Sequence, residues 1–322
     1  MLTLEDESVK SERPCRLVKN PGFTTANLEQ ILYDPNRMRG FGLRVNLNGT
    51  SSRLLLDTGA SGIVLDRKVA EKAGIKPVAE SQATGIGDRG AAAGYVGYAE
   101  SVTIGDLEFH GCYVHVINQG SVTGQEGLIG ADIFSSFLVD LDFPDGKIKL
   151  SPLPARPDPP PTDGKPKPDS SGSTPHFHDR YVAPEMSSFS SIFQFGHKLL
   201  LKTIVNNLPP KLFLVDTGSF GNTISPAAAG EVTKVSSDST LHVKGVSGEV
   251  KNVLRGEELT LQFANMRQKN KDIVAFDLTN ISNSTGTEVS GILGFAMLRL
   301  LEIKIDYRDG LIEFEYGLNR KH

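Results

Sequence analysis

Leu54-Leu55-Leu56-Asp57-Thr58-Gly59-Ala60-Ser61 recurs 159 residues further on as Leu212-Phe213-Leu214-Val215-Asp216-Thr217-Gly218-Ser219. A carboxylate set between a buried apolar strand and a Thr-Gly turn must have its desolvation compensated. Backbone N–H groups of the turn can do this, and glycine lets them come close enough. Three further matches follow in the same order. Thr84-Gly85-Ile86 answers to Lys244-Gly245-Val246, and Gly127-Leu128-Ile129-Gly130 answers to Gly291-Ile292-Leu293-Gly294. Asp142-Phe143-Pro144-Asp145-Gly146 answers to Asp306-Tyr307-Arg308-Asp309-Gly310. The offset drifts only to 164, as expected of one unit written twice with small loop insertions.

Within each unit, runs of Leu, Ile, Val and Phe end in Gly, Asn or Asp, as strands bounded by turns do. Asp145-Gly146 and Asp309-Gly310 lie between two such runs and predict hairpin turns. Short helices are expected over Arg67 to Ala73, closed by Gly74, and after Ser225-Pro226, an N-cap followed by proline at the first helical position. Two more are expected over Ile133 to Phe137 and Met297 to Leu301. The fold class is mostly β. Between Leu150 and Met186 the chain turns rich in Pro, Ser, Gly and Asp and predicts an extended linker. The expected organisation is an N-terminal segment of unassigned role (1–39), a first lobe (40–154), a linker (155–187) and a second lobe (188–318).

With 39% apolar residues, 33 Gly, 18 Pro and no Trp in 322 residues, the composition fits a turn-rich chain of two ordinary domains. A net charge of -4, without a basic stripe, argues against nucleic acid and anionic membranes as partners. No apolar run reaches the length of about 20 residues that spans a bilayer. Met1 to Lys10 is acidic, unlike an export signal, although export stays open if such a segment precedes this chain. Cys15 and Cys112 could form at most one disulfide; two unpaired, partly buried thiols are the expected state. Gly85-Ile86-Gly87-Asp88-Arg89-Gly90 fits a dinucleotide-loop pattern but leads into a strand-like run rather than a helix, so no nucleotide cofactor is expected. His176 and His178 have no third ligand at useful spacing, so no metal is expected either. Asp140, Asp142 and Asp306 are expected to cap strands or face water.

Two Asp-Thr-Gly turns brought together would place two carboxylates about 3 Å apart, and such a pair shares one proton. One member is then base and the other acid, which suffices to hydrolyse a peptide with water alone. Asp-Thr-Gly followed downstream by two apolar residues and Gly resembles the signature of the aspartic peptidases, retroviral and pepsin-type. Since the motif occurs twice in one chain, the sequence looks most like the bacterial retropepsin-like aspartyl proteases. The resemblance covers about Gly40 to Pro154 and Phe189 to Tyr316. It implies two pseudo-symmetric acid-protease-type β-barrel lobes, a polypeptide substrate and a monomer with its dyad formed in cis.

By that resemblance Asp57 and Asp216 are catalytic, while Thr58 and Thr217 fix the two loops across the interface. Gly59 and Gly218 allow the turns, with Ala60 and Ser219 following. Leu128-Ile129-Gly130 and Ile292-Leu293-Gly294 pack beneath. Thr84-Gly85-Ile86-Gly87 and Gly245-Val246-Ser247-Gly248 become flaps. The chain departs from the pepsin pattern at Thr84, where those enzymes have Tyr, and in lacking Trp. A peptide-binding module with the same cleft but impaired catalysis is the alternative. The hydroxyl of Ser219, which has no counterpart at Ala60, is expected to donate to its carboxylate and favour the anion.

Overall fold

The computed structural model describes residues 15–117, 126–157 and 180–317. His176, His178, most of the linker and the start of the N-terminal segment lie outside the described residues. Among the described residues strand follows strand, with helices of at most seven residues. The core is aliphatic and aromatic, and Leu54, Leu56, Ile129, Phe213, Val215 and Leu293 are all buried in one continuous cluster.

Each half repeats one local arrangement. Thr50–Asp57 runs parallel to Gly127–Gly130, with Leu55 opposite Leu128, Leu56 opposite Ile129 and Asp57 opposite Gly130. Lys211–Asp216 runs parallel to Gly291–Gly294, with Leu214 opposite Ile292, Val215 opposite Leu293 and Asp216 opposite Gly294. A second strand lies antiparallel to each Gly-flanked strand, Ile63–Asp66 in one half and Thr223–Ile224 in the other. The uninterrupted apolar character of these strands follows from their burial on both faces.

The halves are joined through a shared sheet. Phe137–Asp142 pairs antiparallel with Leu301–Asp306, from Leu138 opposite Asp306 to Asp142 opposite Glu302. Each strand then turns back through a hairpin, into Lys147–Pro152 or Leu311–Tyr316. Gly146 and Gly310 take φ of 62°, the left-handed conformation the Asp-Gly hairpins require.

The helix caps at Asp66 and Ser225 accept the expected backbone N–H groups, from Lys68 and Ala228. The helices after Gly130 and Gly294 begin earlier than expected, over Ala131–Phe134 and Phe295–Leu298. In the second case the loop that follows Asp216 decides the start, because the Ser219 and Phe220 carbonyls accept from the Phe295 and Ala296 N–H groups.

Two further features differ from the sequence reading. Within the segment 1–39, residues from Arg16 onward form strands, and Thr24–Asp34 and Arg37–Leu47 are integral to the first half's sheet. Cys15 and Cys112 are joined in a disulfide rather than left as thiols. The cause is pairing of Arg16–Lys19 with Leu107–Ile117, Arg16 opposite His110, which sets the two Cα atoms 4.1 Å apart. Of the two places expected for Asp142 and Asp306, the cap is the one found: both are fully buried, each capping its hairpin by accepting from the N–H of Asp145 or Asp309.

Candidate active site

The two Asp-Thr-Gly loops meet at the junction of the halves. Thr58 and Thr217, each 1% exposed, bind across it in a closed lattice. The Thr58 N–H donates to Thr217 Oγ1 at 3.0 Å and the Thr217 N–H donates to Thr58 Oγ1 at 3.0 Å. The Thr58 hydroxyl donates to the Val215 carbonyl at 2.8 Å, and that of Thr217 donates to the Leu56 carbonyl at 2.9 Å. Each hydroxyl thus accepts one proton and gives one, leaving no buried polar group of the lattice unpaired.

Above the lattice the carboxyl groups of Asp57 and Asp216 hydrogen-bond each other. Their close approach depends on the glycines: a Cβ on Gly59 would stand 2.7 Å from Asp216 Cγ, and one on Gly218 would enter the Asp57 carboxylate. Asp57 Oδ1 accepts from the Gly59 N–H at 2.8 Å. Asp216 Oδ1 accepts from the Gly218 N–H at 2.8 Å and the Ser219 N–H at 3.0 Å. The Ser219 group that reaches the carboxylate is therefore its amide, not the hydroxyl expected from sequence. Asp216 is buried while Asp57 is half-buried. Burial first, and the charge of Asp57 second, hold the Asp216 carboxyl well above the usual carboxylate range. The two amides donated to Asp216 pull the other way without prevailing.

Leu128, Ile129 and Gly130 lie buried under the first loop, and Ile292, Leu293 and Gly294 under the second. The loops are braced differently from there. Gly62 N–H and Ser61 Oγ donate to Asp132, both at 2.9 Å. In the second half Asn222 Oδ1 accepts from the Gly294 N–H at 2.8 Å, and its amide donates to Gln268 and Asn270.

The segments expected as flaps come together. The Ser247 N–H donates to the Ile86 carbonyl at 3.0 Å, and the Arg89 N–H to the Ser247 carbonyl at 2.7 Å. Ser247 Oγ accepts from the Gly85 N–H at 3.1 Å. Gly85 packs on Val246 and Gly245 on Ile86, while Gly87, at φ 125°, has no room for a side chain against Ser247 and Gly248. Thr84 is exposed to one side. After Gly90 the chain continues as the strand Ala92–Ile104, not as a nucleotide-binding helix. No metal-ligating cluster occurs among the described residues, nor any helix long and apolar enough to cross a membrane.

Sequence reasoning missed two residues at the loops. Arg39 Nη1 donates to the Gly218 carbonyl at 2.6 Å, from the half that does not contain Gly218. His197 lies near enough to the Gly59 backbone and to Asp57 for both to favour its protonated form, against the larger effects of burial and Lys198.

The chain is thus mostly β, with its two Asp-Thr-Gly loops joined carboxyl to carboxyl at the junction of the halves. The family model described as "Aspartyl protease" matches residues 43–133, the stretch carrying the first motif and its Leu-Ile-Gly partner, and over it the chain is similar to the aspartyl proteases. Among solved structures it is similar to the aspartic proteinase from Irpex lacteus, at 12% identity, a TM-score of 0.49 and coverage of 91% of this chain and 97% of that one. No curated protein matches.

Proposed function

We propose that the protein is an aspartic endopeptidase, a monomer formed of two lobes that arose by duplication and share one dyad. The observation that carries this reading is the hydrogen-bonded contact of two carboxyl groups, one from each Asp-Thr-Gly loop, in a site braced on both sides. Asp216, kept protonated by burial, donates to the carbonyl oxygen of the scissile peptide. Asp57, the other member of the pair, takes a proton from a water placed between them, and the oxygen of that water adds to the carbonyl carbon. When the C–N bond breaks, the leaving nitrogen takes up the proton held by Asp57 and a hydroxyl on the tetrahedral carbon returns its proton to Asp216, so that the acid product forms and the pair again holds one proton. The interlocked segments around Gly85-Ile86-Gly87 and Gly245-Val246 part to admit an extended polypeptide and close over it, excluding water.

Turnover of a denatured protein substrate tests the reading. Wild type is expected to cleave it, and Asp57→Asn and Asp216→Asn each to lose activity by at least about a hundredfold, the range of a lost general acid or base, with unchanged circular dichroism. A wild type that binds the substrate without cleaving it would instead identify a binding module using the same cleft.

A further inference from the structure

In the pairing of Thr24–Asp34 with Arg37–Leu47, Ile31 lies opposite Gly40 and Leu32 opposite Met38, so Arg39 is the extra residue of a β-bulge. A bulged residue leaves the alternation of its strand, and its side chain is aimed where no regular strand residue points. Here it crosses to the other half, and Arg39 Nη1 donates to the Gly218 carbonyl at 2.6 Å. That carbonyl and the Ser219 N–H belong to one peptide unit, and the Ser219 N–H donates to Asp216 Oδ1 at 3.0 Å. A guanidinium at the oxygen of an amide polarises it and makes its N–H a stronger donor. We propose that Arg39 is a positioning residue for the dyad: bound to the Gly218–Ser219 peptide, it holds that amide on Asp216 and favours the ionised form of the pair.

The first loop lacks this arrangement. Its Ala60 N–H donates to the Asp57 main-chain carbonyl at 3.3 Å, and the Gly59 N–H is the one amide among the described residues that reaches the Asp57 carboxylate. The second amide on Asp216 thus belongs to the peptide that Arg39 holds. Nor is the charge of Arg39 spent elsewhere: Arg37 and Arg44 on the same strand pair with Asp34 and Glu29, whereas Arg39 is in no ion pair among the described residues. The other ionisable groups near the pair act on the side of Asp57. They are His197, which burial and Lys198 hold toward its neutral form, Asp132, and Tyr307, whose hydroxyl burial keeps protonated. A guanidinium keeps its charge at every working pH, so it favours the carboxylate at both proton losses of the pair. Replacing it by a neutral residue would raise both.

This inference rests on the peptidase reading for its kinetic arm, and a second arm does not need activity. In pH profiles of kcat/KM, Arg39→Gln is expected to move both the acid and the alkaline limb up by about half a unit to one unit, the scale of one charge-assisted bond lost from the anion. Arg39→Met, a second neutral variant, carries the same expectation, and Arg39→Lys, which keeps the charge, should lie closer to wild type than either. In carbon NMR of the full chain labelled at its aspartate carboxyls, the Asp216 signal, assigned by its loss in Asp216→Asn, should begin to titrate at higher pH in Arg39→Gln than in wild type by a similar amount. Neutral variants that lose activity by one factor at every pH, a lysine variant shifted as far as the neutral ones, or an Asp216 titration indifferent to Arg39→Gln would overturn the inference. Absence of turnover in wild type would overturn the peptidase reading and leave the NMR result to decide this one.

Discussion

At the scale of single residues, the two carboxylates are distinguished by depth rather than by side-chain chemistry. The motif is the same on both sides, yet Asp216 is 8% exposed and accepts two amides while Asp57 is half-buried and accepts one. Ser219 follows Asp216 where Ala60 follows Asp57, and the difference invites a role for the hydroxyl. The donor is the Ser219 backbone N–H, which every substitution except proline retains. Ser219→Ala is accordingly expected to shift the acid limb of the kcat/KM profile by less than about 0.3 pH unit, well under the change a lost hydrogen bond to the anion produces. A shift approaching one unit would show that the hydroxyl reaches the dyad after all. The pairing of Asp57 with Asp216 was legible because two short motifs carried it. Arg39 and His197 were not, since a basic residue at the start of a strand has no meaning until the opposite loop is placed against it.

At the scale of elements, what the sequence made plain was local: Asp-Gly hairpins, the Ser225-Pro226 helix start, and strands closed by glycine. It could not show what one element does to another. The helix at Phe295–Leu298 begins where the second loop satisfies its first N–H groups, and Cys15 meets Cys112 because a short edge strand with no apolar alternation finds a partner in Leu107–Ile117. The threonine lattice is a similar case: the residues were expected to meet, and the four bonds fix how the loops depend on each other. Thr58→Val keeps the shape and removes the oxygen, leaving the Thr217 N–H and the Val215 carbonyl without their partners in a dry junction. At about 1–3 kcal/mol for each orphaned group, a loss of some 2–4 kcal/mol in denaturant unfolding is expected, with Thr58→Ser losing less than about 1 kcal/mol. A valine variant as stable as wild type would mean the loops are held by packing alone.

At the scale of the whole molecule, the sheet joining the halves has one apolar face and one charged face, and the charged face is not balanced. Lys149 Nζ stands 3.3 Å from Asp140, 2.9 Å from Asp142 and 3.3 Å from Glu302, one ammonium among three carboxyl groups at the strand pair that links the halves. Burial, reinforced by the charge of Glu302, holds the Asp140 carboxyl up to about 7. In the unfolded chain an aspartate titrates near 3.9, so the folded state binds a proton there more tightly than the unfolded state does. The stability this contributes is complete below about pH 4 and is lost as pH rises toward about 7, opposite in sign to that of a carboxylate held by a salt bridge. A carboxyl moved that far between the two states changes stability by at most about 4 kcal/mol; with the proton shared between Asp140 and Glu302, a net change of about 1–3 kcal/mol is the realistic scale. Asp140→Asn, which cannot ionise, should flatten the fall in Tm between pH 4 and pH 7.5 and be more stable than wild type at pH 7.5, while near pH 4 the two should melt alike. Calorimetric Tm values across that range measure both slopes. Parallel slopes would place the excess proton elsewhere in the cluster, and a variant less stable than wild type at pH 7.5 would mean that the Lys149 ion pair outweighs the burial of the charge.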